Sequence, residues 1–198
     1  MNEKPWLAHY DKGVPQTIDI PSVPLFNFLE ESARKYPDRA CTIFKGAVIT
    51  FREMNALSDS VAAAVVDMGV KKGDRVGIFM PNTPQFVMTY FGILKAGGVV
   101  VATNPLYTPP EIEHQSSDAG IEYMFVMTNF YETIKKAQPK TKIKKMIVTN
   151  LKETLPPVLR LLFTLAREKK GGFRVEGGLR DGDIWLPDLL AKYKGASK

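Results

Sequence analysis

The chain has 198 residues, 22.1 kDa, 44% of them hydrophobic and 24% charged, a composition that excludes a disordered tail and fits one compact soluble domain. Its formal charge of +6 is uneven: residues 133–170 hold 11 basic against 2 acidic side chains (+9), leaving 16 against 19 (−3) elsewhere. The single cysteine, Cys41, excludes an intrachain disulfide, the separated His9 and His114 leave a Cys/His zinc site unsupported, and no apolar run reaches the length of a signal peptide or a bilayer span, so a cytoplasmic protein is expected.

Residues 1–23 carry Trp6, Tyr10, Pro15 and Pro21 without periodicity and read as an extended arm across a larger surface. In VPLFNFLEESARKYPD, the residues Leu25, Phe28, Leu29, Ser32 and Ala33 recur at helical spacing, with Pro24 in the first turn and Pro37 as the stop. Ala40 to Phe44 and Ala47 to Ile49 predict two strands joined at Lys45-Gly46. Thr50 and Glu53 form a capping-box pattern ahead of the stripe Phe51, Met54, Leu57, Val61, Ala64, Val65 and Met68, with Gly69 as its left-handed stop.

From Gly73 onward the pattern alternates. Strands are predicted at Arg75 to Met80, Val99 to Ala102, Tyr123 to Val126 and Lys145 to Thr149, and helices at Pro84 to Ala96, Pro109 to Ala119 and Phe130 to Ala137. That order implies βαβ units, and runs such as VGIFM and VVVA imply strands covered on both faces. The fold class is therefore α/β: three layers, a mostly parallel sheet with helices on both faces, and incomplete. After Asn150 the alternation lapses into LPPVLRLLFTLAREKK, an amphipathic helix, then a glycine-rich stretch and a short element from Ile184 to Leu190. The sheet looks unfinished, as in a segment cut from a longer protein.

Motifs for chemistry are sparse. Neither a P-loop nor a dinucleotide fingerprint occurs, and Gly69 to Asp74 precedes a strand, which favours a helix cap and turn over a phosphate site. Asn104-Pro105, with Tyr107, stands where ligands meet parallel sheets, but a turn fixed by Asn and Pro accounts for it. Glu111 has a capping role with Thr108, and Glu113 and His114 belong to a solvated helix face. No nucleophilic triad or dyad pattern is present. The basic run lacks interleaved aromatics, which argues against a nucleic-acid partner. Residues 155–170 fit either packing on the body or peripheral contact with an anionic membrane.

The run KKGDRVGIFMPNTPQFVMTYFGILKAGGVVVATNPLYTPPEIEHQSSDAG, residues 71–120, with ITFREMNALSDSVAAAV before it, resembles the N-terminal part of acyl-activating, adenylate-forming enzymes. That superfamily contains acyl-CoA synthetases, luciferases and peptide-synthetase adenylation domains. ETLPPVLRLLFTLAREKKGGFRVEGG followed by IWLPDLL resembles an insertion, residues 151–183, of long-chain fatty acid–CoA ligases.

The resemblance implies that residues 1–198 are the N-terminal portion of an AMP-binding domain. It implies a two-step reaction of ATP, fatty acid and coenzyme A, with Mg2+ accompanying ATP. It also implies a chain inactive alone that works with the remainder of the same polypeptide, and it leaves homodimerisation open. The family's phosphate loop, ribose-binding Asp motif, hinge and C-terminal Lys have no counterpart between Met1 and Lys198, so no catalytic, cofactor-binding or metal residue carries over and the substrate-binding residues stay unknown. Asn82 and Asn104 belong to signatures expected to set sheet–helix turns beside the acyl and coenzyme A channels. The rival reading is a free-standing, non-catalytic lipid- or partner-binding module of the same fold.

Overall fold

Local signals set the first elements of the structure, a computed structural model that describes residues 4–196. Helix α1 (Phe26–Lys35) buries only Leu29, and Leu25 and Phe28 of the predicted apolar face stay about half exposed. Strands β1 (Ala40–Phe44) and β2 (Ala47–Thr50) pair antiparallel through a two-residue turn. Lys45 at φ 51° and Gly46 at φ 83° supply the left-handed pair that such a turn needs. The Thr50 amide then donates to the Glu53 carboxylate at 2.8 Å and the Glu53 amide to the Thr50 hydroxyl at 3.2 Å, which starts α2 (Phe51–Asp67).

The central sheet holds, among the described residues, β3 (Arg75–Phe79), β4 (Val99–Ala102), β5 (Tyr123–Met127), β6 (Lys145–Thr149) and β7 (Ile184–Trp185) in the order β4-β3-β5-β6-β7. Every pairing is parallel. The connecting helices are α3 (Pro84–Lys95), α4 (Pro109–Ala119), α5 (Tyr131–Ala137) and α6 (Pro157–Ala166), and α7 (Leu186–Lys192) follows the last strand. From β3 the chain moves outward to β4 and then returns past β3 to β5. The order therefore reverses between β3 and β5, and in open α/β sheets the crevice at the carboxyl ends of such strands is where ligands bind.

Two cores lie on the two faces of the sheet. Val76, Ile78, Phe125, Met127 and Ile147 point toward α2, α3 and α7, while Phe79, Met124, Val126, Met146 and Val148 point toward α4 and α5. Strand alternation thus persists inside runs that read as continuously apolar. On the first face α3 lies against α2 at Gly92, where a Cβ would come within 2.5 Å of Val61. The buried ammonium of Lys95 closes the end of that pair, donating to Asp59 at 2.6 Å and to the Asn55 side chain at 2.8 Å.

Several expectations change. From Lys4 to Leu25 every residue but Leu7 is exposed, and the regular structure of this stretch is one 3-10 turn at Pro5–His9. The apolar run VVVA forms the edge strand β4, and Val99 is 46% exposed. Side-chain hydrophobicity alone cannot distinguish an edge from a centre. The element beginning at Ile184 divides into β7 and α7, and β7 extends the sheet beyond β6.

Candidate functional site

The carboxyl ends of the four longer parallel strands share a chemical pattern. Thr103-Asn104 follows β4, Thr128-Asn129 follows β5, Thr149-Asn150 closes β6, and the inverse pair Asn82-Thr83 stands shortly after β3. A β-branched Thr continues the extended backbone, and Asn then turns it, its short amide bonding to nearby backbone groups. Asn104 accepts from the Leu106 amide at 3.0 Å, and Asn150 from the Lys152 amide at 3.1 Å.

The threonines are buried, yet most of their hydroxyls are unused. Thr83, Thr103 and Thr128 are 5%, 4% and 3% exposed, and neither their hydroxyls nor the Asn129 amide oxygen has a hydrogen-bond partner among the described residues. Buried polar groups are normally paired. Three unpartnered hydroxyls thus lie buried just beneath the switch-point rim, at the neighbouring strand ends β4, β3 and β5.

At β6 the same rim becomes a closed network. The Thr149 hydroxyl donates to the Glu153 carboxylate, and Gln85, at the start of α3, donates its amide to the Asn150 carbonyl at 3.1 Å. Thr154 donates to the Gln85 amide oxygen at 3.2 Å. The Asn150 amide donates to Glu168 at 3.0 Å and to the Phe173 carbonyl at 2.8 Å, and the Lys152 ammonium reaches Glu168 at 2.6 Å. Chain segments far apart in sequence are so joined at one strand end.

Glu153 lies between two clefts. The first, about 360 Å3, is the more polar, with Asn150, Lys152, Glu168 and Asp188 beside Phe173 and Trp185; the second, about 310 Å3, is apolar and is lined by Leu57, Met88, Leu155 and Leu190. Burial pushes the Glu153 carboxyl above its ordinary range, and the hydrogen bonds from Thr149 and Asn150 and the charges of Arg160 and Lys152 only partly offset this. A carboxyl that holds its proton more tightly, at the meeting point of an apolar and a polar cleft, can donate a hydrogen bond to a polar group whose hydrocarbon part occupies the apolar side. No nucleophile–base pair stands at this position among the described residues.

The residues weighed from sequence take structural parts. Asn104 closes a turn, with the Tyr107 amide donating to its carbonyl at 3.0 Å. Glu111 receives the Thr108 amide at 2.8 Å, which holds its carboxyl below the ordinary range, and Glu113 pairs with Lys140 at 3.3 Å. Between Gly69 and the strand, Asp74 accepts from the Lys71 amide at 2.7 Å, as a turn requires. Of residues 155–170, the helix α6 buries no residue, whereas Glu168 beyond it is buried and bonded to Asn150 and Lys152. Sequence reasoning missed Gln85, Thr149, Asn150, Glu153 and Glu168. The recurrent Thr-Asn after an apolar strand was the legible signal.

Comparison with known proteins agrees with the fold. The AMP-binding enzyme family matches residues 29–170. The long-chain-fatty-acid–CoA ligase of Bacillus subtilis is 34% identical over 169 residues, covering 85% of this chain and 30% of that protein. The ligase of the same name from Yersinia pestis is 40% identical over 155 residues, covering 77% and 28%. Among solved structures, a long-chain-fatty-acid–CoA ligase from Archaeoglobus fulgidus matches with a TM-score of 0.65 at 26% identity, over 70% of this chain and 29% of that one. A benzoate CoA ligase from Burkholderia xenovorans, 14% identical with a TM-score of 0.66 over 89% of this chain and 30% of that one, shares the fold. The chain thus spans about 30% of the length of the curated relatives. More than half of its residues fall within the matched range, and it belongs to the AMP-binding enzyme family, with long-chain-fatty-acid–CoA ligases among its curated relatives.

Proposed function

We propose that this chain is the N-terminal portion of a long-chain fatty acid–CoA ligase. The observation that carries the reading is identity of 34–40% to ligases of that name over 77–85% of the chain. In the proposed reaction a fatty acid carboxylate attacks the α-phosphorus of ATP and releases pyrophosphate. The coenzyme A thiol then attacks the acyl carbon of the adenylate and AMP leaves, giving the thioester. Mg2+ would neutralise charge on the ATP phosphates.

The residues of this chain do not fit a seat for Mg2+-ATP. No group of three or more His, Cys, Asp or Glu stands together among the described residues, and its strand-to-helix turns carry Thr and Asn in place of a glycine-rich phosphate loop. We therefore assign ATP handling and the chemical steps to the remainder of the polypeptide. This portion contributes the parallel sheet, whose carboxyl rim forms one wall of the substrate region, with Glu153 as its polar contact. Acting alone it has no turnover.

The test is acyl-dependent exchange of labelled pyrophosphate into ATP. The 198-residue chain is expected to give none with long-chain fatty acids, whereas the longer polypeptide gives exchange and, with coenzyme A, acyl-CoA. Exchange by the short chain overturns the assignment of ATP handling to other residues. A longer polypeptide that forms no acyl-CoA overturns the ligase reading.

A further inference from the structure

The 3-10 turn Leu151–Thr154 joins the end of β6 to α6. Helix α6 packs chiefly on this turn and buries no residue of its own, and its Phe163 stands edge-on to Phe173 at 5.2 Å. A helix held mainly at one end takes its position from that end, so whatever sets the turn also sets α6.

Three ties of the turn do not depend on a proton near neutrality. The Lys152 amide donates to the Asn150 side chain at 3.1 Å, the Thr154 hydroxyl donates to Gln85 at 3.2 Å, and the Lys152 ammonium pairs with Glu168 at 2.6 Å. Glu153, in the middle of the turn, differs. Its carboxyl accepts from the Thr149 hydroxyl and forms no ion pair among the described residues. Burial holds it above the ordinary carboxylate range, which brings its ionisation closer to neutral pH.

The charges around Glu153 are unevenly committed. On β6 and α3 its neighbours are the neutral Thr149 and Gln85, and the apolar cleft holds no second ionisable group. The polar cleft brings Lys152 of the same turn, Glu168 and Arg174 of the chain returning from α6, and Asp188 of α7. Helix α6 contributes Arg160, its one charged residue, which is exposed, has no ion pair among the described residues and already acts on the carboxyl through its charge. A neutral Glu153 suits this setting. An ionised one is a buried charge, costly unless a counter-charge comes to it. Lys152 can serve only by leaving Glu168 unpaired, whereas Arg160 rides on a helix with no buried side chain to withdraw.

We propose that Glu153 is a proton-operated latch for α6: neutral, it leaves the helix standing off the body; ionised, it draws Arg160, and the helix with it, toward the end of β6. Acid holds the latch open, and rising pH closes it. The latch uses the carboxyl that the proposed function places in the wall of the substrate region, but its test needs neither ATP nor a fatty acid, so either reading can fail without the other.

The test is amide hydrogen exchange of residues 157–166 in the 198-residue chain, read as protection over the intrinsic rate between about pH 4 and 8. Protection is expected to rise at least about fivefold with pH, at a midpoint above the ordinary carboxyl value of about 4.3. Glu153→Gln and Arg160→Gln should each abolish the rise. Thr149→Val removes a hydroxyl that favours the ionised form and should move the midpoint upward. In a Trp6→Phe background the emission of Trp185, which lines the polar cleft with Glu153, should follow the same midpoint. Circular dichroism confirms that each variant is folded. Equal protection across the range overturns the proposal, as does a rise that survives either Gln variant.

Discussion

Glu153 shows how one side chain ties a site to stability. Its carboxyl is raised chiefly by burial, so the folded state binds a proton that the unfolded state releases at an ordinary pKa of about 4.3. That contribution is complete below the ordinary value and disappears as pH rises through the folded one. Glu153→Gln keeps an acceptor for the Thr149 hydroxyl without the charge; in urea unfolding the variant is expected to be the more stable protein at neutral pH and to lack this loss between acid and neutral solution. A difference in stability between variant and parent that does not grow from acid to neutral pH would contradict the assignment. A second carboxylate is buried with its partners in place. Asp183, whose side chain has no exposed surface, accepts from Lys135 at 2.7 Å, from the Tyr131 hydroxyl at 2.8 Å and from the Met146 amide at 2.7 Å. Burial opposes the charge of Lys135, but Asp183 and Asp181 outweigh it and hold the ammonium above its usual range. Asp183→Ala leaves all three donors without this partner and should cost about 3–5 kcal/mol in chemical denaturation. A loss below about 1 kcal/mol would mean that water replaces the carboxylate.

The contact between α2 and α3 depends on a missing methyl group. In an isolated helix Ala would be favoured over Gly by about 1 kcal/mol, but a Cβ at position 92 would meet the Val61 side chain at 2.5 Å and the Ser58 carbonyl at 3.0 Å. Val61 is fully buried and branched at Cβ, so it has little room to yield. Overpacking therefore decides the sign, and Gly92→Ala is expected to lower stability by about 1–3 kcal/mol, read as a lowered denaturation midpoint. Elements whose signals are local were legible in the sequence: the hairpin at Lys45-Gly46, the capping boxes at Thr50 and Thr108, and the run of strands and helices from Arg75 to Thr149. Ile184-Trp185 was not separable from Leu186 onward, because a two-residue strand has no periodicity and its identity comes from pairing with Ile147 and Val148. The edge position of β4 was hidden for the same reason, since Val99 carries no mark of which neighbour it lacks.

At the scale of the molecule, the parallel sheet follows from the alternation of elements, whereas the candidate site does not. Gln85, Asn150, Glu153, Glu168 and Phe173 converge only after α3, β6 and the α6 excursion have been placed, and no spacing along the chain anticipates that meeting. The Thr-Asn pairs were visible as residues, but their common location became apparent only with strand order. One detail of that convergence bears on how such proteins diverge. A single amide, that of Asn150, holds both Glu168 and Phe173 at the root of the excursion, so the residues from Asn150 to Glu168 form a closed side branch on the β6–β7 connection. The closure entropy of a flexible branch grows only slowly with its length, and β7 takes its register from Ile147 and Val148, not from anything along the branch. Insertions, deletions and changes of hydrophobicity can therefore accumulate between Leu155 and Arg167 with little effect on the sheet, which makes this branch the place where descendants of one fold can part company in the surfaces they visit.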